Sequence, residues 1–322
     1  MKLRTIAGVL LLVGAALAIT SYAHTSADNS GATRSESKAA HKSGDPFHIS
    51  LVRGFLRSPD QSPLGKDVSS EIVAGPANGL DSAFLIYTRM PAGTHGPKLY
   101  TLPVDHTYLV LAGQLNVQLG TDKFVAGAET LVLVHAGVPH EVWNASSEPV
   151  TALEVITPAP SRDLESLMKA AQPRQIENAA SFIRKAPPVP NTGRGTGSQP
   201  LAARATDSGD SHLQERIDNV KPGFSVGPGL HVHPFDQIYY VLEGTMTLQF
   251  GLGTYHVQPN TFVIIPLGVV HQNRNEGPGN ERHVTLLLPE PEKEPFDLPV
   301  KFLPAPTPPG VAAPAAAPNK QE

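Results

Sequence analysis

Short apolar segments that end at turn residues recur along most of the chain. Each is roughly five to eight residues long and is closed by glycine, proline, asparagine or aspartate. The segments of the first half are AFLIYTRM, TYLVLAG, QLNVQLG, ETLVLVHAG and VTALEVI, and those of the second half are QIYYVLEG, TMTLQFG, TFVIIPLG and HVTLLLP. Strands of this length and spacing are typical of an antiparallel sandwich or barrel. The pattern therefore predicts an all-β fold.

The two halves also resemble each other, which indicates an internal duplication. The segment 108–149 runs parallel to the segment 239–279. The matched identities are Gly113 with Gly244, Gly137 with Gly268, His140 with His271, and Asn144 with Asn275. The interval from the first glycine to the histidine is 27 residues in both halves. Equal intervals are the signature of a repeated structural unit, so two similar β-barrels are predicted.

The repeats and the composition between them divide the chain into predicted domains. An N-terminal barrel is predicted over 46–160 and a C-terminal barrel over 208–304. A linker over 161–207 joins them, and its stretch 161–186 is the only good helical segment. Pro173 interrupts this segment, so we expect two short helices followed by a long surface loop.

The two ends of the chain differ from the barrels. Residues 1–27 combine Lys2 and Arg4 with an apolar core and small residues, which is the pattern of a secretory signal peptide. An uncleaved membrane anchor is the alternative. Residues 28–45 are typical of a flexible tether, and the Pro/Ala-rich residues 305–322 of a disordered tail. The protein is therefore expected to be periplasmic or secreted, with no stable membrane span after processing.

Composition narrows the possible chemistry. The 322 residues carry a formal net charge of −4 and show no basic stripe, so no nucleic-acid partner is expected. The chain has no cysteine, which excludes disulfides, thiolate zinc sites and cysteine nucleophiles. Any metal must then be held by histidine, carboxylate, amide or tyrosine groups.

The strongest chemical signal is the stretch HVHPFDQIYYVLEG. His231 and His233 point to the same face of a strand, because successive strand side chains alternate. Gln237 follows in the next strand, and His271 comes 27 residues after the glycine that ends the stretch. If the strands close into a small barrel, these four side chains can meet in its interior. Three imidazoles and one oxygen donor are an ordinary ligand set for a divalent transition metal.

The strand that carries Gln237 has two distinct faces. One face holds Gln237, Tyr239 and Val241, and the other holds Ile238, Tyr240 and Leu242. Tyr239 therefore lies beside the candidate metal ligand, and it is a candidate catalytic acid/base or substrate-orienting residue. The alternative is a buried tyrosine whose hydroxyl is satisfied by the backbone.

Both histidine stretches resemble the motifs of the cupin superfamily, G-x5-H-x-H-x3,4-E-x6-G and G-x5-P-x-G-x2-H-x3-N. His231 and His233 match the first motif, and PLGVVHQNRN, with His271 and Asn275, matches the second. The resemblance covers both repeats and implies a bicupin: two double-stranded β-helix (jelly-roll) barrels with a short helical linker. It also implies one divalent transition metal (Fe, Mn, Ni, Zn or Cu), bound by the histidines and an acidic residue.

The match departs from the motifs at three positions. Ser225 and Asn260 stand where the motifs begin with glycine, and Gln237 replaces the acidic ligand. The Gln237 amide oxygen can be a neutral fourth ligand, Asp236 can supply a carboxylate instead, or the three histidines can hold the metal alone. In the first and third cases the +2 charge of the ion is uncompensated, which favours anionic, chelating substrates.

The first repeat keeps fewer of these ligands. Tyr100 and Leu102 occupy the positions of the two first-motif histidines, and His106 occupies that of the glutamine. His140 remains, and His95 lies a few residues upstream. A two- or three-histidine site formed by His95, His106 and His140 is one interpretation, and a degenerate, structural barrel is the other.

Fold and metal do not determine the reaction, because cupins span many activities. One hypothesis is a metal-dependent enzyme, an oxidoreductase of dioxygenase type, an isomerase or a lyase, that acts on a small oxygen-rich anionic or phenolic molecule. The other is a non-catalytic small-molecule or sugar-binding protein of the cell envelope. A homodimer is compatible with either, since exposed sheet edges of cupin barrels often pair.

Overall fold

The structure, a computed structural model, describes most of the chain between residues 55 and 301. The described ranges are 55–190, 195–203, 212–251, 253–292 and 297–301. The predicted signal peptide (1–27), tether (28–45) and tail (305–322) lie outside these ranges. Within the described ranges, no helix is long and apolar enough to cross a membrane.

The first repeat consists almost entirely of strands. Its strands, together with a short one that precedes them, are β1 (Leu56–Arg57), β2 (Ser69–Ala74), β3 (Phe84–Met90), β4 (Tyr100–Thr101), β5 (Asp105–Ala112), β6 (Gln114–Leu119), β7 (Asp122–Gly127), β8 (Thr130–Val134), β9 (His140–Trp143) and β10 (Val150–Thr157). A 3-10 turn at Pro76–Asn78 lies between β2 and β3. The longest strands, β5 and β10, pair with each other at the centre of the barrel wall.

The segment between the repeats contains two single helical turns and three strands. In order they are α1 (Leu164–Leu167), β11 (Lys169–Ala170), a 3-10 turn (Ala179–Phe182), β12 (Ile183–Lys185) and β13 (Thr196–Ala202). The two helices predicted on either side of Pro173 are thus only one turn each. The other described residues of the segment form no helix.

The second repeat follows the same pattern of strands as the first. Its strands are β14 (Gln214–Val220), β15 (His231–Val232), β16 (Asp236–Glu243), β17 (Met246–Phe250), β18 (Gly253–Val257), β19 (Phe262–Ile265), β20 (His271–Arg274), β21 (Glu281–Leu288) and β22 (Leu298–Pro299). The matched strands carry the matched motif residues, which accounts for the equal intervals in the sequence.

Each barrel is built from two antiparallel sheets. The first barrel has the strand orders β12-β8-β5-β10-β3-β2 and β11-β4-β9-β6-β7. The second has the orders β1-β19-β16-β21-β14-β13 and β18-β17-β20-β15-β22. The prediction of an all-β protein with two jelly-roll barrels is confirmed. The linker strands β11, β12 and β13 pair at sheet edges. Their backbone N–H and C=O groups therefore form hydrogen bonds with the sheets, and no long helix is needed to satisfy them.

Alternation along the strands separates the barrel interiors from the interface between the barrels. On β16, Ile238 and Tyr240 belong to an apolar cluster that also contains Leu109 of the first barrel. Tyr239 belongs to the cluster inside the second barrel, and Gln237 shares its face of the strand. The two six-stranded sheets therefore face each other across one apolar core, and each five-stranded sheet closes its barrel on the other side.

Two glycines shape the same turn in both barrels. Gly113 and Gly244 have φ values of 79° and 73°. A Cβ atom at these positions would lie 2.4 Å from the carbonyl oxygens of Pro149 and Asn280, respectively. No other residue type fits there without backbone movement. Asn260, which replaces a motif glycine, has a φ of 61°, a left-handed conformation that asparagine adopts more readily than most residues.

Candidate metal centre

Strand pairing brings the three histidines of the second repeat together. His231 on β15 is paired directly with His271 on β20, and His233 follows at the end of β15. Their ligand nitrogens all lie within 4.8 Å of one another, and all three residues are buried. In the part of the chain that the structure describes, no other group of three or more histidine or carboxylate side chains converges in this way.

Backbone carbonyls orient two of the three imidazole rings. The Nδ1 atom of His231 donates a hydrogen bond of 2.7 Å to the carbonyl of Gly229, and that of His271 donates one of 2.9 Å to Val269. With Nδ1 protonated, each Nε2 atom presents its lone pair to the barrel interior. Burial, followed by the neighbouring imidazoles, lowers the pKa of His271 to about 3, so its ring is neutral and able to bind a metal at neutral pH.

The Gln237 side chain occupies the fourth corner of this cluster. Its Oε1 atom lies 2.9 Å from Nε2 of His233 and 2.8 Å from Nε2 of His271. The amide oxygen and the Nε2 atom of His271 are both electron-pair donors, and such atoms are brought together by a shared cation. The donor set therefore fits a divalent transition metal, with the glutamine in the position predicted for a neutral ligand.

The Asp236 carboxylate is engaged outside the cluster. Its Oδ1 atom accepts a hydrogen bond of 3.0 Å from the backbone N–H of Leu267, and its Oδ2 atom accepts one of 2.6 Å from the Ser82 hydroxyl. It holds the loop before the second-motif histidine and links that loop to the first barrel. The interpretation of Asp236 as the metal's carboxylate therefore has no support in the geometry.

A different carboxylate, which the sequence analysis missed, lies beside the histidines. The Oδ1 atom of Asp297 is 3.3 Å from Nδ1 of His233 and 3.7 Å from Nε2 of His231. This residue lies outside both motifs and precedes β22, a two-residue strand that pairs with β15. No local pattern signals such a strand, because its position depends on a partner far away in the sequence.

Tyr239 lies inside the barrel, as its position on the strand predicted. The side chain is only 3% exposed, and its hydroxyl donates a long hydrogen bond of 3.4 Å to Oδ1 of Asn273. Burial raises the pKa of Tyr239 far above its usual value, so the hydroxyl keeps its proton at neutral pH. It is suited to donating a hydrogen bond to a bound molecule, and its role in catalysis stays a prediction.

In the first barrel, the corresponding polar groups bond to one another. His106 Nε2 lies 2.9 Å from Oε2 of Glu154, and His106 Nδ1 lies 3.1 Å from the Tyr108 hydroxyl and 3.3 Å from Nε2 of His140. Tyr100 is the strand partner of His140, just as His231 is the strand partner of His271 in the second barrel. The centre of this barrel is filled by an internal hydrogen-bond network.

The structure does not bring the third candidate histidine of the first repeat into this network. The exposed His95 ring stacks on Trp143, with ring centroids 6.0 Å apart. Leu102, at the position of the second motif histidine, is buried and apolar. Only His106 and His140 meet, so the geometry favours the structural interpretation of this barrel.

Comparison with known proteins agrees with the fold and the motif residues. A family model described as a cupin domain matches residues 86–156 and 217–286, one stretch in each barrel. The chain belongs to the cupin superfamily. Its two barrels are therefore cupin domains, and the predicted bicupin organisation is confirmed. The comparison with curated proteins gives no match.

Two solved structures share the arrangement of both cupin domains. A protein from Pseudomonas aeruginosa described as glyoxylate-induced is 14% identical, with a TM-score of 0.54, over 71% of this chain and 84% of that one. Oxalate decarboxylase from Bacillus subtilis, studied for its Mn(II) centres, is 13% identical, with a TM-score of 0.56, over 74% of this chain and 78% of that one. At these identities the likeness establishes the fold alone.

Proposed function

We propose that the C-terminal cupin domain binds one divalent transition metal through His231, His233, His271 and Gln237. The observation that carries this proposal is the convergence of three buried imidazoles, two of which contact one amide oxygen and two of which are held by backbone carbonyls. Such outer hydrogen bonds orient metal-binding histidines and raise their basicity. When bound, the ion (Fe, Mn, Ni, Zn or Cu) would supply Lewis-acid chemistry to a coordinated oxygen.

The substrate that we propose is a small, oxygen-rich anionic or phenolic molecule. All four donors are neutral, so they leave the positive charge of the ion available to an anionic, chelating ligand. The Tyr239 hydroxyl keeps its proton and lies on the face of Gln237, where it can donate a hydrogen bond to such a ligand. The reaction we infer is of dioxygenase, isomerase or lyase type, and the names of the two structural neighbours make small carboxylates the first candidates.

Export is a further part of this proposal, and it rests on residues 1–27. Their cationic start, apolar core and small residues support a cleaved signal peptide and a periplasmic or secreted protein. Expression of the full chain in a bacterial host, followed by fractionation and N-terminal sequencing, tests it. Recovery of uncleaved protein in the cytoplasm would contradict export.

Metal content tests the proposed centre directly. The purified protein is stripped with a chelator, incubated with each candidate ion and analysed by elemental mass spectrometry. We expect about one ion per chain in the wild type and none with His233→Ala. The control is His256→Ala, which removes an exposed histidine of the same barrel and should leave the metal content unchanged. Equal metal content in His233→Ala and the wild type would overturn the proposed centre.

Turnover by the metal-loaded protein separates an enzyme from a binding protein. A panel of oxalate, glyoxylate, diketones, uronic acids and phenols is incubated with the loaded protein, and oxygen uptake, ultraviolet absorbance and products are followed. Metal-dependent conversion that is lost in His233→Ala supports the enzyme. A ligand that raises the melting temperature of the loaded protein without being converted supports the alternative, a binding protein of the cell envelope.

A further inference from the structure

We propose that Asp297 is the carboxylate ligand of the metal centre, taking the role that the glutamate of the first motif would have at position 237. This inference rests on the proposed metal centre in the C-terminal barrel. It adds a ligand from outside both motifs, contributed by the residue immediately before the short strand β22.

The distances around Asp297 fit a shared metal ion. Its Oδ1 atom is 3.7 Å from Nε2 of His231, the nitrogen that carries no proton because Nδ1 donates to Gly229. It also lies 3.3 Å from Nδ1 of His233, the ring nitrogen opposite the one that contacts Gln237, and this second contact orients the His233 ring. Neighbouring ligand atoms of an ion with four to six bonds of about 2.1 Å lie roughly 3.0–3.4 Å apart. The separation of 3.7 Å between Oδ1 of Asp297 and Nε2 of His231 is close to this spacing, so one ion can bind both atoms.

The proton positions point the same way. Nδ1 of His231 already donates its proton to the Gly229 carbonyl, so the Nε2 atom that faces Asp297 carries a lone pair. A lone pair and a carboxylate oxygen attract each other only through a proton or a cation between them. Because the lone pairs of His271 and Gln237 converge on the same cluster, a metal ion satisfies all of these donors at once.

Backbone pairing explains why a residue so far along the chain reaches the site. β22 pairs with β15, with Leu298 opposite Val232 and Pro299 opposite His231. The N–H of Val300 also donates a hydrogen bond of 2.8 Å to the carbonyl of Leu230. The strand that carries the first histidine therefore also holds the segment that carries the carboxylate.

The position of Asp297 has a consequence for ligand binding. Its side chain is 37% exposed, whereas those of His231 and His233 are 3% and 4% exposed, so the carboxylate lies on the solvent side of the cluster. One carboxylate reduces the net charge of the centre from +2 to +1, which still attracts an anion. An anionic ligand that arrives from solvent would then meet the metal beside Asp297 and compete with it for coordination.

Titration with Co²⁺ tests the assignment, because the visible spectrum of this ion reports the number and type of its ligands. Asp297→Asn keeps the size and the hydrogen-bond acceptor of the side chain but removes its charge. We expect it to weaken Co²⁺ binding at least tenfold and to change the visible spectrum. Adding Gln237→Glu to Asp297→Asn returns a carboxylate to the centre and should restore most of the lost affinity.

Controls separate ligation from general effects of charge and from failure of the metal centre. Glu243→Gln removes an exposed carboxylate that pairs with Arg282, and it should bind Co²⁺ like the wild type. In excess chelator, Asp297→Asn should melt at the wild-type temperature. If it binds Co²⁺ with wild-type affinity and spectrum, the assignment is overturned and the histidine centre stands. If the wild type itself binds no Co²⁺, the proposed centre fails and this inference fails with it.

Discussion

The two barrels share the residues that shape the second motif. Asp105 and Asp236 occupy equivalent positions, and each accepts a backbone hydrogen bond of 3.0 Å from the loop before the motif histidine. His140 and His271 each donate from Nδ1 to a carbonyl two residues earlier. These contacts hold the loop and the ring in the same way whether or not the barrel centre offers a ligand set. They belong to the architecture of the fold.

The difference lies in the side chains that face the barrel centre. The second barrel directs His231 and His233 there, where their ligand nitrogens converge with that of His271. The first has Tyr100 in place of one histidine, and its His106 is paired at 2.9 Å with Glu154. Its other ring nitrogen lies 3.1 Å from the Tyr108 hydroxyl, so both nitrogens of His106 are occupied by protein groups. A few substitutions on a shared backbone thus separate the proposed ion site of the second barrel from the hydrogen-bonded polar core of the first.

The largest expected difference between the barrels is in metal binding. His271→Ala removes a ligand and should weaken Mn²⁺ binding by roughly 100-fold or more, whereas His140→Ala should leave the affinity unchanged. Both variants lose the same imidazole from the same backbone position, so each is the matched control for the other. Isothermal titration with Mn²⁺ measures the difference. Comparable losses in both variants would mean that the first barrel also contributes to the site.

A stability measurement should show the opposite, namely that the shared frame matters equally in both barrels. Gly113→Ala and Gly244→Ala each place a Cβ atom 2.4 Å from a carbonyl oxygen in a left-handed turn. We expect each to lower the free energy of unfolding by about 2–4 kcal/mol. Urea denaturation measures it, with Gly279→Ala, where a Cβ meets nothing within 4 Å, as control. A loss of stability in only one of the two variants would mean that the two turns are not equally important.

Much of this frame was readable from the sequence. The period-two pattern of β16 correctly assigned Tyr239 to the barrel interior and Tyr240 to the opposite face, because each face contacts a different core. The 27-residue interval gave the correct match of His140 with His271, because strand pairing repeats with it. Local periodicity and repeat spacing are sufficient for such assignments.

Contacts that depend on distant pairing could not be predicted. Glu154 reaches His106 across two neighbouring strands, although 48 residues separate them in sequence. Asp297 reaches the histidines only because β22 pairs with β15. The linker around Pro173 has helical propensity, yet tertiary pairing at the sheet edges leaves it only two helical turns. In each case the contact is made with a residue or strand too far away in the sequence for a local pattern to reveal it.

A buried carboxyl group marks a further asymmetry, at the interface between the barrels. Glu215 is paired with Leu286 on β21, as Leu85 is paired with Val155 at the matching register of the first barrel. It is 0% exposed, and burial, which outweighs the opposing interaction with the Thr107 hydroxyl, raises its pKa from 4.5 to about 8. The apolar core between the sheets therefore contains one group that must stay protonated to be stable there.

This asymmetry predicts a pH dependence of stability. Above pH 4.5 the unfolded chain ionises Glu215 while the folded chain keeps it protonated until about pH 8, so wild-type stability falls across this range. Glu215→Gln cannot ionise, so its stability relative to the wild type should rise by up to about 5 kcal/mol as the pH increases from 4 to 8. Urea denaturation at several pH values measures this. If the unfolding free energies of the two proteins change equally with pH, Glu215 ionises as readily in the folded protein as in the unfolded chain, which would contradict the prediction.

The smallest expected effect concerns the ion pairs that join the barrels at the surface. Arg282 contacts Glu129 of the first barrel at 2.6 Å and Glu243 of the second at 2.7 Å. The two carboxylates are 32% and 61% exposed, so water screens both pairs. Arg282→Ala should therefore cost only about 0.5–1 kcal/mol of unfolding free energy, and less in 1 M salt. Urea denaturation at both salt concentrations measures it. A salt-independent loss above 2 kcal/mol would mean that charge, rather than the apolar core between the six-stranded sheets, holds the two barrels together.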